Sequence, residues 1–235
     1  MLTMPKIEPA YLKGEKQCRL SNVGFFKRVP LETLRGFERD MIEKRYGSQE
    51  SIFLEDDQAE FVWLVKGGHV RETHHSTEGG SQTVGMIGPG GLFGISAFID
   101  GGQYGFHSVA ETDATVFSFP VRSFQDLMGR CPAMARIVLS QISQLLRRSK
   151  DMQIFSRENA EKRLLHALME MVVEFGGTIP LTRRRIAEMA GTSVETCIRI
   201  FGRLEAQGLI ASVRGKIIVS NLEDLKDRME EGGSK

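Results

Sequence analysis

The sequence predicts an α+β chain: an antiparallel β-roll, then a long helix, then a winged helix-turn-helix. Three observations carry this. Twelve of the 25 glycines fall between Gly67 and Gly105, interleaved with short apolar runs. From Ser123 to Arg157 the only proline is Pro132 and the only glycine is Gly129. Leu181 to Glu205 then has the spacing of two short helices joined by a tight turn, with two short strands after it. At 235 residues the chain is long enough for two modest domains. The expected divisions are 1–122 for an amino-terminal segment and the β-roll, 123–157 for the long helix, and 158–235 for the winged helix-turn-helix.

In the β-roll, the runs Phe61 to Val65, His69 to Thr73, Thr83 to Ile87, Ser108 to Thr112 and Thr115 to Phe119 read as strands. Turns are marked by Lys66-Gly67-Gly68, Glu78-Gly79-Gly80, Gly88-Pro89-Gly90-Gly91 and Asp100-Gly101-Gly102. The run from Gly88 to Gly94 has the look of a dinucleotide fingerprint, yet it opens no amphipathic helix and is read as a turn. His74 and His75 are adjacent, so on a strand they point to opposite faces and do not share a metal.

Composition narrows the function classes. With 31 basic and 30 acidic residues the formal charge is +1, so any anion-binding surface must be local. No basic segment precedes an apolar stretch at the amino terminus, and no run of about 18 apolar residues occurs, so a cytoplasmic protein with no membrane partner is expected. Cys18, Cys131 and Cys197 are odd in number and form no C-x-x-C pair, which argues against a disulfide framework. Three thiols also fall short of the four that an iron-sulfur cluster usually takes. Buried thiols are expected instead.

The long helix begins near Pro132, a residue suited to a first helical position. Met134, Val138, Gln141, Leu145, Arg148, Met152 and Phe155 follow a 4,3 spacing, the seam of a coiled coil. A neighbouring register, Ala135, Val138, Ile142, Leu145, Ser149 and Met152, shares three of these residues. Either one predicts a homodimer. A second helix from about Ala160 to Phe175 carries one apolar stripe and stops at Gly176-Gly177. The stretch from Asn221 is expected to be frayed.

Between Asn159 and Ser220 the local charge excess is +3. Thr182 caps the first short helix, Ala187 is small where the two helices cross, Gly191 supplies the turn, and Ser193 caps the second helix. Cys197, Ile200 and Leu204 share a burying side, whereas Val194, Glu195, Ile198, Arg199 and Gly202 share another. Glu and Arg one turn apart can accept from a cytosine amino group and donate to a guanine edge. They can also simply pair as an i, i+4 ion pair. The wing from Gly208 to Val219 has a basic tip, Arg214-Gly215-Lys216, suited to phosphate.

On these residues, from the run Leu181-Thr182-Arg183 through Gly191-Thr192-Ser193-Val194-Glu195-Thr196 to Leu204-Glu205 and Gly208-Leu209-Ile210, the chain resembles the CRP/FNR family of transcription regulators. The resemblance spans about Val23 to Val219. It implies that Glu195 and Arg199 read bases and that Thr182 and Arg183 contact phosphates. Val194 is similar to the FNR branch, while Ile198 departs from it where a Ser would stand. Double-stranded DNA, a second copy of the chain, RNA polymerase and a small effector are the implied partners, and the regulator is expected to respond to that effector or to a redox signal.

The resemblance also implies an effector pocket formed by Gly94, Ile95, Ser96, Ala97, Tyr104 and Gly105, with Leu145 of the long helix. The family's cyclic-nucleotide binders hold ribose with a Gly-Glu pair and phosphate with an Arg-Ser pair. Here those positions are Gly94-Ile95 and Tyr104-Gly105, so cAMP is not expected to bind. Haem is an alternative ligand, since some relatives sense CO or NO through haem, and His107 is then the candidate ligand. The rival of another class is a β-barrel metal module that does not bind DNA, as in cupin-like enzymes. It needs a His/Glu cluster that the strands do not space, and an enzyme is not expected.

Overall fold

The computed structural model describes residues 19–231 other than 22, 24, 25, 28, 76–80 and 96–101. The chain divides into two compact units, residues 1–75 with 85–145 and residues 146–235 with 76–84.

Ahead of residue 121 the described elements are α1 (Leu31–Glu38) and the strands β1 (Ile42–Tyr46), β2 (Ser51–Phe53), β3 (Phe61–Gly67), β4 (Val70–His75), β5 (Ser81–Ile87), β6 (Leu92–Phe93), β7 (His107–Ala110) and β8 (Ala114–Pro120), of which β5 crosses the division at residues 84 and 85, as the long helix that follows crosses it at residues 145 and 146. After them come α2 (Val121–Arg130) and α3 (Pro132–Phe155). The strands form two four-stranded sheets, in the orders β1-β8-β3-β6 and β2-β7-β4-β5.

The apolar run Phe61 to Val65 is continuous rather than alternating because both faces of β3 are buried. Antiparallel pairing sets Val62 opposite Phe119 and Leu64 opposite Phe117. These four share one face with Leu34 and Phe37 of α1, Phe124 and Leu127 of α2, and Met134 and Val138 of α3. Phe37 stacks on Phe119 with ring centroids 4.4 Å apart. On the opposite face Trp63, Val65 and Val116 meet Val70, Ala110, Phe53, Phe93 and Tyr104 between the sheets.

Several elements depart from the sequence expectation. The five expected strands are present, but β1, β2 and β6 went unread, being short or flanked by charge. The segment before Pro132 is a separate helix, α2. Cys131 is extended (φ −132°, ψ 92°), as a residue before proline is pushed to be, and Pro132 opens the next helix. Met134 and Val138, expected in a dimer seam, are 0% and 2% exposed within their own unit. They are core residues, and Ile142 packs partly against the same cluster. Among the described side chains of α3 the exposed large apolar ones are Leu139, Leu145 and Leu146. Gln141 is half-buried. The side chains of Arg148, Ser149, Met152 and Phe155 lie outside the described residues.

The second unit contains α4 (Ala160–Phe175), β9 (Thr178–Ile179), α5 (Arg183–Met189), α6 (Val194–Ala206), β10 (Ile210–Val213), β11 (Lys216–Val219) and α7 (Leu222–Glu231). The three strands form one antiparallel sheet, β10-β11-β9. The stretch expected to fray is the helix α7. Asn221 caps it by accepting from the amides of Glu223 and Asp224, and Leu225 is fully buried. Glu161 of α4 accepts from Arg228 of α7 and from Arg203 of α6.

Candidate nucleic-acid interface and effector pocket

Capping chemistry positions α5 and α6. The Thr182 hydroxyl accepts from the Arg185 amide at 3.3 Å and the Ser193 hydroxyl from the Thr196 amide at 3.1 Å. Between the helices Gly191 takes φ +57°, a left-handed turn that costs a glycine little. Arg163 of α4 then locks the turn. Its guanidinium donates to the carbonyls of Ala190 and Gly191 at 2.8 and 3.1 Å, and to that of Glu158 at 2.7 Å. The end of α5 is thereby satisfied by a side chain rather than by water.

Cys197, Ile200 and Leu204 are buried together with Phe201. Burial pushes the Cys197 thiol up to about 11, and its Sγ donates to the Arg183 carbonyl, so it is a packing residue and not a reactive one. Cys131 is also a buried free thiol, and Cys18 lies outside the described residues. The opposite face of α6 presents Glu195, Ile198, Arg199 and Gly202 to solvent, with Val194 half-buried and Ile198 47% exposed. Among the described residues no ion pair joins Glu195 to Arg199.

Arg183, expected at a phosphate, is engaged within its own unit. Its Nη2 donates to both oxygens of Glu205, at 2.8 and 3.1 Å, and its Nε donates to Ser212 Oγ at 3.1 Å. The Ser212 hydroxyl, with the Arg183 guanidinium and the Ser212 amide, holds the Glu205 carboxyl below its ordinary range. The cation at the start of α5 that remains outward is Arg184. Its side chain is 79% exposed and makes one loose contact with Glu188 at 3.6 Å. The sequence run Arg183-Arg184-Arg185 gave no sign of which arginine would stay outward, because the distinction depends on Glu205 and Ser212 across the fold. Thr182, Arg183, Arg184, Arg214, Gly215 and Lys216 are among the residues that line one cleft of about 370 Å³ between the start of α5 and the wing.

The expected effector positions fall in several environments. Ile95 packs on the helix-side core. Tyr104 is 4% exposed, and its hydroxyl donates to the Phe61 carbonyl at 2.8 Å and accepts from Trp63 Nε1 at 3.0 Å. It also stacks on Phe53 with centroids 3.7 Å apart, so it is a structural residue. Gly94 takes φ +68° with its α-carbon against Tyr104 and Trp63, where a Cβ would lie 3.0 and 3.1 Å from their rings. Gly105 is exposed, as is Leu145 at 47%. Ser96 and Ala97 lie outside the described residues. His107 alternates with the inward Ser108 and Ala110, and its Nε2 lies 2.8 Å from Ser51 Oγ. Sequence reading missed Glu72. Its neighbours Val70 and Ala110 belong to the inter-sheet core, and burial pushes its carboxyl up to about 7 against an opposing hydrogen bond from the Gly94 amide.

No helix among the described residues is long and apolar enough to cross a membrane. Residues 43–131 match the model of the cyclic nucleotide-binding domain, and residues 162–228 that of the Crp-like helix-turn-helix domain. The chain is 27% identical over 176 residues to the Cyclic AMP receptor protein of Thermus thermophilus, covering 74% of this chain and 82% of that protein. It is 27% identical over 197 residues to the Fumarate nitrate reduction regulatory protein of Klebsiella oxytoca, covering 79% and 78%. The structure of FixK2 from Bradyrhizobium japonicum superposes with a TM-score of 0.72 at 26% identity, over 80% of this chain and 96% of that one. With an antiparallel β-roll ahead of a capped helix-turn-helix and its wing, the chain belongs to the CRP/FNR family of transcription regulators, which carry a helix-turn-helix DNA-binding domain.

Proposed function

We propose that the protein is an effector-responsive, cytoplasmic DNA-binding regulator that acts as a homodimer on a palindromic site, engages RNA polymerase there, and is not controlled by cAMP. The observation that carries the DNA reading is the outward face of α6. Glu195, Ile198 and Arg199 stand exposed on a rigidly capped helix, and Arg184, Arg214 and Lys216 surround the adjacent cleft. That division of labour, bases to the helix face and phosphates to the cleft rim, is what a major-groove reader requires. Dimerisation is assigned to the exposed Leu139, Leu145 and Leu146 of α3, whose burial against a second copy would remove three large apolar side chains from water.

Independence from cAMP follows from charge. The one arginine buried in the roll among the described residues, Arg71, is committed to Glu111 at 2.7 Å, with side chains only 8% and 7% exposed. A phosphate brought near Gly94 would meet the Glu72 carboxyl and no cation. Gel-shift assay on duplexes selected from random DNA tests the DNA reading, and failure to enrich any sequence would sink it. Calorimetric titration with cAMP tests the other half: no binding heat is expected, and a low-micromolar dissociation constant would overturn it.

A further inference from the structure

Resting on the effector-responsive function proposed above, we propose that the interior of the β-roll holds a subsite for a cationic nitrogen ligand, an aromatic amidinium or amine, gripped by the Glu72 carboxylate and the Ser108 hydroxyl.

Strand register brings the two groups together. β4 and β7 pair antiparallel, with Val70 opposite Ala110 and Glu72 opposite Ser108. Val70 and Ala110 belong to the inter-sheet core, and side chains two residues apart on a strand share a face. Glu72 and Ser108 therefore both turn inward, on directly facing positions whose Cβ atoms lie roughly 5 Å apart. Arg71 and Val109, between them, take the other face of the sheet, where both are buried and Arg71 is held by Glu111.

Ser108 is 0% exposed, and its Oγ is the one buried side-chain polar atom among the described residues that has no hydrogen-bond partner. Apolar residues flank it on the same face, so the position could hold alanine or valine at no such cost. A hydroxyl kept there unpaired is explained when a ligand supplies the partner. Beside it, Glu72 receives the Gly94 amide, and no basic side chain of the described residues pairs with it. A buried carboxylate without a counter-charge favours a cation over a neutral donor and repels an anion.

The walls suit a flat cation. The Gly94 α-carbon is bounded by the rings of Tyr104 and Trp63, and Tyr104 is backed by the stacked ring of Phe53. Aromatic faces next to a carboxylate recognise amidinium and ammonium groups through charge-assisted hydrogen bonds and cation–π contact. Glu72 is half-buried as a residue, with its carboxyl enclosed.

Trp63 is the only tryptophan of the chain, so its fluorescence reports on this interior. Full-length protein is titrated with benzamidinium, its neutral isostere benzamide, and phenyl phosphate, with free tryptophan amide correcting for direct quenching. For a ligand of this size a saturable change with a midpoint of about 1 mM is expected for benzamidinium. Benzamide should bind at least about tenfold more weakly and phenyl phosphate not at all, because neither neutralises the carboxylate. Glu72→Gln should lose about tenfold or more in benzamidinium affinity and Ser108→Ala severalfold. No saturable change with benzamidinium in the wild type, or equal affinity in Glu72→Gln, overturns the subsite. Should Glu72→Gln fail to fold, undiminished affinity in Ser108→Ala overturns it instead. Gel shifts on the same preparations separate the two readings. DNA binding without an amidinium response sinks the subsite and leaves the regulator. A saturable amidinium response in a protein that shifts no DNA supports the subsite and sinks the regulator.

Discussion

Arg183 Nη2 donates to both carboxylate oxygens of Glu205, and this clamp ties the first residue of α5 to the last turn of α6. Ser212 of β10 closes the triangle, its amide donating to Glu205 Oε1 at 3.0 Å and its hydroxyl accepting from Arg183 Nε. Both helices and the wing are thus referenced to a single carboxylate. The angle at which α6 is presented is therefore expected to depend on the charge of Glu205, a residue outside the set assigned to base reading.

Glu205→Gln is therefore expected to destabilise the protein by about 1–2 kcal/mol at neutral pH, a charge-assisted pair discounted for its partial exposure. The pH dependence has a definite sign. A carboxyl whose folded pKa is depressed contributes stability that is present above its unfolded value, ordinarily 4.5, and lost as pH falls through the lower folded value. Urea melts of wild type and variant should differ at pH 7 and converge in acid. A difference that persists unchanged into acid would remove the clamp from the stability of this unit.

Glu72 and His69 give the first unit opposite slopes. Burial raises Glu72 from 4.5 to about 7, so the unfolded chain releases this proton first and stability falls as pH rises from 4.5 to 7. Burial lowers His69 from 6.5 to about 4, so the unfolded chain takes up a proton first and stability falls as pH drops from 6.5 to 4. Glu72→Gln should accordingly melt higher than wild type at pH 8 and match it at pH 4. Thermal melts across this range check it, and an unchanged difference at both ends would contradict the inward placement of Glu72.

How much of this was legible in the sequence depended on whether the deciding contact was local. Thr182, Gly191 and Ser193 act within one turn of chain, so capping and turn chemistry disclosed them directly. The apolar stripe on α6 was legible for the same reason. Met134 and Val138 were misassigned because a 4,3 apolar spacing is common to a coiled-coil seam and to a helix lying on a sheet, and the sheet that buries them is made of distant strands. Arg183 looked like its two neighbours until Glu205 and Ser212 were folded against it. Glu72 was invisible as an inward residue because its strand, Val70–His75, has polar residues on both faces and so no alternation to read.

The packing of α3 decides which substitutions are expected to break the proposed dimer. Leu145→Asp and Leu146→Asp place charge on residues 47% and 59% exposed, so each should yield folded monomers in sedimentation with little loss of protomer stability. Met134→Ala should instead leave association intact and cost about 2–4 kcal/mol, as truncating a buried methionine does. Dimers that persist at micromolar concentration in both Asp variants would take the interface off this part of α3.

On DNA, loss of Arg199, Arg183 and Arg184 should differ in kind. Arg199 is exposed and free of ion pairs among the described residues, so its guanidinium is available for guanine O6 and N7, while Glu195 one turn earlier can accept from cytosine N4. Arg199→Ala should cost on the order of 1–3 kcal/mol per half-site and relax the preference at one base pair, in sites whose halves lie about one helical turn apart with a TGA-like core. Arg184→Ala should weaken every sequence alike and reduce the salt slope by about one ion, the signature of a phosphate contact. Arg183→Ala should act through the fold, lowering stability as Glu205→Gln does, because its charge is already spent on Glu205. Selection from random DNA with wild type and Arg199→Ala, together with salt titrations of Arg184→Ala and Arg183→Ala, distinguishes the three. An unchanged guanine preference in Arg199→Ala would remove that residue from the readout, and a salt slope that falls for Arg183→Ala but not for Arg184→Ala would return the phosphate role to Arg183.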